Sequence, residues 1–564
     1  MPPGLTILDF LVVAGFLVGI TALGIWSGRK VTTTADYFMP RRFGKFYLTL
    51  NSFSVATSAE QAVVLASKSY SSGVSGIWYQ WFHLVTMPFY WLLAPMLRRF
   101  RAITLGDIYG LRFGASVATL FVLTGITKSI LTLGLGLKGS SALLGGLFGG
   151  VVSGDTLVLI LTVIFVAYSL FGGFTSAVFT NAIQGLLTLL FSFLLLPFVW
   201  RAVGGGAGIR DVLPADMLAL TVPGGIDGFT VTMMALAGLI AAAVIPHNLG
   251  IAAASRVERD GQFGFLAGLF LKRLCAGAWC LTGVAAAALY AGQQIDPDGL
   301  YGRLAAHFLP AVAPGLVGLF IASALAEVMG TCSGIMNAAA ALLIQNFYRP
   351  LRPGRSESHY LAAGRGGAVL VVVVSVGFAF WLPGVVKGLE LIVTAAPIIG
   401  VVFWCGLFWR RTTTAAAWAA TLTGYTLWML LQVQAVLEWL RESTFLAGRI
   451  APTAHGLDLA LGWQLFIVLG GTAAVVVIVS LFTAPPPPEQ LNRFYALRRT
   501  PVMTDEDLPA PCTLPVGAVT PAPRVMTRAW GLELDWPDGH GIKGFVISTL
   551  LILAMIAGFV WIAP

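Results

Sequence analysis

The chain has 564 residues, of which 57% are hydrophobic and only 10% are charged. A soluble protein of this length needs more charge on its surface, so the composition excludes that class and predicts a helical protein that crosses a membrane many times. The net charge of +9 does not indicate nucleic-acid binding, because the basic residues lie in short loops between apolar segments. The five cysteines lack metal-ligand spacing and predict neither a zinc site nor a disulfide framework.

Apolar runs of about 20 residues, each long enough to cross the hydrocarbon core of a bilayer, recur along the chain. We predict about fourteen such spans. The first is expected to be retained, because it is too long for a signal peptide and no basic stretch precedes it. The approximate centres are Phe16, Ala56, Val85, Gly125, Ile164, Leu190, Leu239, Ala278, Ala326, Val373, Gly400, Thr423, Val475 and Met555.

The basic residues predict how these spans are oriented. With fourteen spans, all basic loops fall on one side, which the positive-inside rule identifies as the cytoplasm. Both termini are then expected outside, and we expect the protein to lie in the cytoplasmic (inner) membrane of a bacterium. The basic residues are Arg29, Lys30, Arg41, Arg42 and Lys45 after span one, Arg98, Arg99, Arg101 and Arg112 after span three, Arg256, Arg259, Lys272 and Arg273 around the exit of span seven, Arg349, Arg352 and Arg355 after span nine, Arg410 and Arg411 after span eleven, and Arg493, Arg498 and Arg499 after span thirteen.

Spans two and seven each carry polar residues in their middle, at 53–61 and 245–250. The hydroxyl residues of the first stretch, and a proline and a glycine in the second, favour interrupted helices whose free carbonyls can face an ion or a solute. A carboxylate such as Glu60 is costly at bilayer depth unless it faces a wet cavity or a partner, which predicts half of a substrate site. Paired interruptions five spans apart predict two inverted repeats. The alternatives are packing hydroxyls in span two and a plain proline kink in span seven.

The longest polar segment opens with four consecutive prolines and precedes the last span. It predicts a cytoplasmic linker that is dispensable for solute binding. The predicted division of the chain is 1–45, the first span and a cytoplasmic loop; 46–203, the first inverted repeat; 204–409, the second inverted repeat; 410–484, two peripheral spans; 485–542, the proline-rich cytoplasmic linker; and 543–564, the last span.

Several stretches resemble segments of the sodium:solute symporter family, which includes sodium–glucose and sodium–proline transporters. The resemblance runs from about residue 10 to about residue 440. It implies an all-α polytopic membrane protein with a five-plus-five inverted repeat and broken helices, the LeuT-like core. Fourteen spans with a long linker before the last resemble the sugar-transporting branch. The similar segments are 36–42 (Asp-Tyr-Phe-Met-Pro-Arg-Arg), 104–108 with 112–114, 172–184 (Gly-Gly to Gln184), and 329–333 with 346–348.

Within that branch, 58–61 and 79–81 resemble the sugar-contacting segments of bacterial galactose symporters. The resemblance and the polar chemistry together give a solute site of Glu60, Gln61, Gln80, His83 and Asn248. Amides offer both donors and acceptors, which suits a neutral polar solute. Gln80 stands where sugar transporters tend to have Glu, so we expect a sugar, a polyol or a similar solute and leave an organic acid or amino acid open. His83 is equally well explained as a packing histidine.

The family holds sodium with backbone carbonyls of broken span two and two adjacent hydroxyls of span nine. Here those hydroxyl positions are Gly330 and Thr331, so one ligand is missing, and Asn181 stands where the span-six motif of the family has an aspartate. Glu327, one helical turn before Gly330, could complete a sodium site, take a proton instead of sodium, or pair with a donor in a structural role. The candidate ion-coupling residues are Ala56, Thr57, Asn181, Glu327, Gly330 and Thr331, with sodium expected at Ala56, Thr57, Glu327 and Thr331.

We therefore expect a secondary active transporter that imports a small polar organic solute by alternating access, coupled to sodium or to protons. An uncoupled facilitator or a solute sensor on the same fold is the alternative, favoured by Asn181 and Gly330. An enzyme is not expected, because no carboxylate pair, metal cluster or nucleophile–base set is placed at a plausible depth. The expected partners are the solute and the lipid bilayer, without nucleic acid. No cofactor is expected, and sodium is the candidate coupling ion.

Overall fold

The computed structural model describes residues 5–28, 37–39, 41–443, 445–453, 456–503, 506, 510–527 and 529–564, without the side chains of 165, 167–173 and 443. Four residues used in the sequence analysis, Arg29, Lys30, Asp36 and Pro40, lie outside the described residues. The described chain is almost wholly helical, as the composition predicts.

The helices follow one another along the whole chain. In the first half they are α1 (Ile7–Gly28), α2 (Lys45–Ala56), α3 (Ala59–Ser72), α4 (Trp78–Trp81), α5 (Met87–Arg99), α6 (Leu105–Phe113), α7 (Ala115–Leu147), α8 (Gly154–Leu194), α9 (Leu196–Ala202), α10 (Gly205–Val212), α11 (Ala215–Leu218), α12 (Gly228–Ala242) and α13 (Pro246–Ala253). In the second half they are α14 (Glu258–Leu289), α15 (Leu300–Phe308), α16 (Leu316–Leu342), α17 (Arg349–Leu351), α18 (Glu357–Trp381), α19 (Val385–Ala395), α20 (Ile398–Phe408), α21 (Thr414–Leu430), α22 (Gln434–Ser443), α23 (Leu461–Phe482), α24 (Pro488–Arg499) and α25 (Gly539–Ile562).

Short non-α elements connect these helices. Four 3-10 turns cover Gly73–Ile77, Leu309–Ala311, Ala447–Arg449 and Ala529–Gly531, and a π-helical segment covers Leu343–Tyr348. Two small antiparallel pairs of strands complete the described chain: β1 (Ile450–Thr453) with β2 (Gly456–Leu459), and β3 (Val525–Thr527) with β4 (Leu534–Asp535).

Nine helical segments within the described residues are long and apolar enough to cross a bilayer, and the bent pair α12–α13 makes a tenth. The other four predicted spans correspond to shorter or interrupted helices: α2 with α3, α4 with α5, the start of α8, and α21. Interrupted helices escape a length criterion because each half is short. Polar breaks in spans two and three therefore account for part of the difference between the prediction and the simple count.

The stretch α8 contains the predicted centres of two spans, at 164 and 190. Near its start Gly154 lies beside Ser141, close to the end of α7, and near its end the ring of Phe191 lies 5.4 Å from that of Tyr301. Between these points Ser176 donates a hydrogen bond of 2.8 Å to a carbonyl near the end of α1. Because α1 begins beside the start of α16 and ends beside Ser176, the middle of α8 lies at the opposite face from its two ends. These contacts indicate that the two halves of α8 each cross the bundle once.

The loops that carry most of the basic residues meet at one end of the bundle, which we call the basic face (residues 41–43, 98–114, 255–258, 346–357, 408–412 and 488–535). There Arg99 pairs with Glu258 at 2.9 Å, and Arg41 donates to the Arg101 carbonyl at 2.6 Å. The predicted linker is docked on this face, where Glu506 pairs with Arg101 at 2.5 Å. Contacts between distant segments thus place these loops together.

The predicted grouping of basic residues is wrong for Lys272 and Arg273. Both lie in the middle of α14, a helix of 32 residues, and their exposed fractions are only 8% and 2%. The apolar run 263–271 belongs to the same helix, which begins at Glu258, so the two cations follow the start of the helix and do not lie in the loop before it. These two cations are therefore inside the bundle and do not contribute to the basic face.

Both predicted interruptions are confirmed. Between α2 and α3 the backbone is extended at Thr57 (φ −120°, ψ 119°) and Ser58 (φ −140°, ψ 161°). Between α12 and α13 the helix bends by 62°. Pro246 is the first residue of α13 and has no N–H with which to continue the preceding helix. The Asn248 side chain donates to the freed carbonyl of Ala242 at 2.9 Å, which stabilises the bend.

Candidate solute and ion site

The two interruptions open onto one cavity of about 170 Å³, which we call the central cavity. Side chains or backbone of α3, α4, α7, α13, α14 and α16 line it. All five residues predicted for the solute site lie on its wall: Glu60, Gln61, Gln80, His83 and Asn248. The cavity is thus placed where a solute would contact both broken helices.

Glu60 and Gln61 begin α3, directly after the break. The Ser58 hydroxyl donates to the Glu60 carboxylate, which is only 3% exposed. Gln61 donates its amide N–H to the carbonyl of Ala56 at 3.1 Å, while its own Oε1 has no partner within the described residues. Gln61 therefore both stabilises the break and leaves one acceptor available to a solute.

The opposite wall is built around α4 and α14. Arg273 donates to the backbone carbonyl of Gln80 and, at 3.2 Å, to its Oε1. His83 contacts the Tyr90 hydroxyl through Nδ1 at 3.3 Å, so it has a packing partner although it also lines the cavity. The Gln80 amide is thus held in place by a guanidinium, and its N–H donors, which bond to no described residue, can reach a solute.

Three cations of the central cavity were not predicted as site residues: Lys128, Lys272 and Arg273. The sequence carried a signal for Lys128, which lies three residues from the predicted centre of span four, because an ionisable residue at mid-membrane is by default a functional candidate. The sequence pattern places Lys272 and Arg273 in a loop and therefore does not identify them as residues of the site. Lys272 donates its ammonium group to the carbonyl of Ala56 at 2.5 Å.

The hydroxyl of Thr331 in α16 spans the break between α2 and α3. It donates towards the carbonyls of Ser54, at 3.2 Å, and Thr57, at 3.1 Å. Thr57 and Thr331 are therefore brought together as the resemblance implies. The second carbonyl is that of Ser54, whereas the carbonyl of Ala56 is occupied by Lys272 and Gln61.

A cluster of unpartnered oxygens surrounds Gly330. A Cβ atom at Gly330 would lie 2.3 Å from the Ser54 hydroxyl and 3.3 Å from both Asn181 Oδ1 and Gln184 Oε1. Each of these three oxygens is buried without a partner within the described residues. The Ser54 hydroxyl therefore fills the space that a side chain at 330 would need. We call these three oxygens the oxygen cluster.

Glu327 lies one turn before Gly330 and is completely buried. Neither of its carboxylate oxygens has a hydrogen-bond partner in the part of the chain that is described. A structural carboxylate at this depth would need a donor or a cation beside it. The structure thus presents the carboxylate without the pairing that the structural interpretation requires.

A second cavity lies between the central cavity and the basic face. Asn51 and Asn181, joined by a hydrogen bond of 2.7 Å, lie on its wall, and it shares Val55 and His247 with the central cavity. Thr104 also lines it and donates to Asn346 at 2.5 Å. The two cavities together mark a path from the middle of the bundle to the basic face.

Comparisons with known proteins agree with this architecture. The sequence profile of the sodium:solute symporter family matches residues 37–257 and 261–424. The sodium/glucose cotransporter of Vibrio parahaemolyticus is 25% identical over 467 residues, which cover 73% of this chain and 83% of that protein. A high-affinity proline transporter of Bacillus subtilis is 26% identical over 427 residues, 71% of this chain and 87% of that protein.

A solved Na+-coupled sialic acid symporter, in a substrate-bound outward-open state, has a similar fold. Its TM-score is 0.70 at 16% identity, and the similarity covers 85% of this chain and 99% of that one. At this identity the similarity shows the fold. It confirms the all-α polytopic architecture that the sequence predicts.

Proposed function

Because this chain belongs to the sodium:solute symporter family, we propose that it imports a small polar organic solute through the central cavity by alternating access, coupled to sodium. The chain is a transporter by family and not an enzyme. The observation that carries the proposal is that the Thr331 hydroxyl, on the wall of that cavity, lies within hydrogen-bond distance of the carbonyls of Ser54 and Thr57.

Sodium is a hard cation that needs several oxygen ligands, and the break supplies them. Two carbonyls and one hydroxyl converge at Thr331. The oxygen cluster adjoins them, because Ser54 belongs to both sets and Gly330 precedes Thr331. Position 330 lacks the hydroxyl ligand of the family. Glu327, which is buried one turn earlier without a partner within the described residues, supplies a negatively charged carboxylate in its place. We assign Thr57, Thr331, Asn181 and Glu327 to the ion site, and Ala56 to its border with the solute.

We assign Glu60, Gln61, Gln80, His83 and Asn248 to the solute site, since all five line the central cavity. The unpartnered Oε1 of Gln61 and the amide nitrogen of Gln80, for which no hydrogen bond is found among the described residues, support direct hydrogen bonding to a polar solute. Gln61 adjoins the break that carries the proposed ion site, because it donates to the carbonyl of Ala56, and Gln80 lies on the opposite wall. Ion binding that orders this break would therefore also position Gln61, which is a physical basis for coupling.

One observation favours an uncoupled facilitator or a sensor as the second candidate. The ammonium group of Lys272 already donates to the carbonyl of Ala56, so a cation of the protein itself lies at the break. A tethered ammonium would reduce the need for sodium, and the missing acid at Asn181 acts in the same direction. This alternative predicts solute exchange across the membrane without sodium-driven accumulation.

The two candidates and the coupling ion are distinguished in proteoliposomes. A panel of radiolabelled sugars, polyols, amino acids and carboxylates is first screened by thermal shift with purified protein. Uptake of each solute that binds is then measured under an inward sodium gradient at fixed pH, and under a pH gradient without sodium. Sodium-driven accumulation supports the proposal, pH-driven accumulation replaces sodium by the proton, and exchange alone supports the facilitator.

Replacement of Glu327 adds a second test in the same assay. We expect Glu327→Gln to abolish accumulation while exchange of solute continues, because the variant keeps the shape of the site and loses its charge. Glu442→Gln makes the same chemical change at an exposed glutamate of α22, away from both cavities, and is the matched control. Accumulation by Glu327→Gln at the wild-type level would overturn the coupling role.

We also propose the orientation of the protein: the basic face is cytoplasmic, both termini lie outside, and residues 485–542 lie in the cytoplasm of the inner membrane of a bacterium. The clustering of basic loops at one face of the bundle supports this orientation. We further propose the division into repeats at 46–203 and 204–409, in which each repeat begins close to one of the two broken spans.

A further inference from the structure

The charge of the central cavity is unbalanced. Three cations line it, Lys128, Lys272 and Arg273, and among the described lining residues Glu60 is the only acid. Two histidines, His83 and His247, add further donors to the same wall. A cavity for a neutral solute would not need an excess of buried positive charge, which is costly at membrane depth.

The protein balances these three cations only in part, because Glu60 attracts Lys272 and no second acid lines the cavity among the described residues. No carboxylate lies within 4.0 Å of any of the three cations in the described structure. The ammonium group of Lys128 makes no hydrogen bond or ion pair with any described residue, and Arg273 leaves its Nε without a partner. Lys272 donates to a neutral carbonyl, and Glu60 accepts from Ser58 and Gln61.

The cations approach the cavity from two helices. Lys128 reaches it from α7 and Arg273 from α14, and His83 and His247 lie on the wall of the same cavity. The Arg273 guanidinium is held by Gln80, which leaves its planar fork in a fixed orientation. A guanidinium in a fixed orientation and a lysine on the wall of the same cavity can together bind a carboxylate or a phosphate.

We propose that the solute of this transporter is a small organic anion, whose carboxylate or phosphate group binds between Lys128 and Arg273. The inference rests on the proposed function and names the chemical class of its solute. Binding of the anion supplies the negative charge that the cavity lacks. The hydroxyl or amide groups of the same solute would bind Gln61 and Asn248 on the other wall.

The test uses probes that are matched in size and differ in charge. Purified full-length protein is titrated with gluconate against glucose, lactate against propane-1,2-diol, and glycerol 3-phosphate against glycerol, with the shift in melting temperature as the readout. We expect at least one anion to stabilise the protein and its neutral counterpart to have no effect. The arm that responds tells whether the anionic group is a carboxylate or a phosphate.

Variants of Lys128 then locate the binding. We expect Lys128→Met to weaken binding of the active anion at least about tenfold, and Lys128→Arg to restore it, since the charge is retained. The matched control is Lys138→Met on the same helix, outside the central cavity, which should bind the anion like the wild type. The melting temperature of Lys128→Met without anion reports whether this variant is folded, and restoration by arginine shows that the positive charge is what the binding needs.

Three outcomes overturn the proposal. The neutral member of a pair binds as well as the anion, the Lys128→Met variant binds the active anion like the wild type, or no anion binds. If a neutral solute is instead accumulated under a sodium gradient, the anion proposal fails and the proposed transport function stands. If an anion binds but no solute is accumulated, the anion proposal stands and the proposed transport function fails.

Discussion

Lys272 donates its ammonium group to the backbone carbonyl of Ala56, with 2.5 Å between Nζ and O. This carbonyl can accept from side chains because α2 ends at Ala56 and the next two residues are extended, so the helix does not continue. A cation supplied by α14 thus lies at the break where α16 also presents Thr331. The break is therefore a meeting point for the solute cavity, a fixed charge of the protein and the proposed ion site.

Removal of the Lys272 charge should strengthen sodium binding. Lys272→Met leaves Ala56 with Gln61 as its remaining donor and removes the repulsion between an ammonium group and a sodium ion at the same break. Two charges about 4 Å apart interact by about 1 kcal/mol in water and by more in a protein. We expect the apparent sodium affinity to rise at least about fivefold. It is measured by the sodium dependence of thermal stability.

Lys272→Arg keeps the charge and serves as the control, with sodium affinity close to that of the wild type. If Lys272→Met instead binds sodium more weakly than the wild type, Lys272 orients the ion ligands and does not compete with the ion.

Gln61 and Gln80 should contribute hydrogen bonds to the solute. Gln61→Leu and Gln80→Leu keep the approximate volume of each side chain and remove its polar atoms. Since a hydrogen bond contributes about 0.5–1.5 kcal/mol net, each change should weaken solute binding about two- to tenfold. Binding is measured by titration calorimetry with the solute found in the thermal-shift screen, and the melting temperature without solute serves as the folding control. Normal binding by the double Leu variant would remove both residues from the site.

The sequence predicted much of this arrangement, because broken helices leave local signals. Pro246 and the hydroxyls before Glu60 marked both interruptions, and the residue-by-residue resemblance placed Gln61 and Gln80 in one cavity. The failures concern charge. Lys272 and Arg273 were assigned to a loop, since a basic pair beside an apolar run is typical of a span end. Only the observed start of α14 at Glu258 shows that the pair lies inside the membrane.

Side-chain contacts across distant segments also lay beyond the sequence. The unpartnered state of Glu327 depends on the packing of α16, and the convergence of Ser54, Asn181 and Gln184 on Gly330 joins three helices. Composition likewise identified the linker before α25 as polar, but not its docking onto the basic face through Arg101 and Glu506. Such pairings depend on tertiary packing, which a local pattern does not report.

The linker should lie in the cytoplasm. In right-side-out vesicles, protease added outside should leave residues 485–542 intact, whereas the same protease in inverted vesicles should reach them. Immunoblotting with an antibody against the linker reports the cleavage. Cleavage of right-side-out vesicles within 485–542 would mean that the proposed orientation, and with it the count of spans, is wrong.

The docking of the linker should depend on the charge of Glu506. Burial raises the pKa of this carboxyl, but the Arg101 guanidinium and the Met503 amide outweigh burial and hold the pKa below its ordinary value of 4.5. A lowered pKa in the docked state means that the pair stabilises docking fully above pH 4.5, and that this contribution is lost as the pH falls through the lowered value.

Limited proteolysis measures this dependence. In inverted vesicles protease should cleave the docked wild-type linker only slowly at pH 7, and cleavage by pepsin should become fast only in strongly acidic medium. Glu506→Gln should be sensitive at pH 7, because Arg101 is left buried without its counter-charge. Glu489→Gln, an exposed glutamate of α24, is the control and should behave like the wild type. Equal resistance of both variants would exclude the ion pair as the docking contact.

The most direct test of the account is binding of radioactive sodium-22 to purified protein, because it needs no knowledge of the solute. We predict saturable sodium binding to the wild type that is lost in Glu327→Gln and weakened at least about tenfold in Thr331→Val, since each variant removes an oxygen ligand or the charge. Glu442→Gln, the change of an exposed glutamate on α22, should bind like the wild type. The account is contradicted if the wild type shows no saturable sodium binding, or if Glu327→Gln binds sodium as tightly as the wild type.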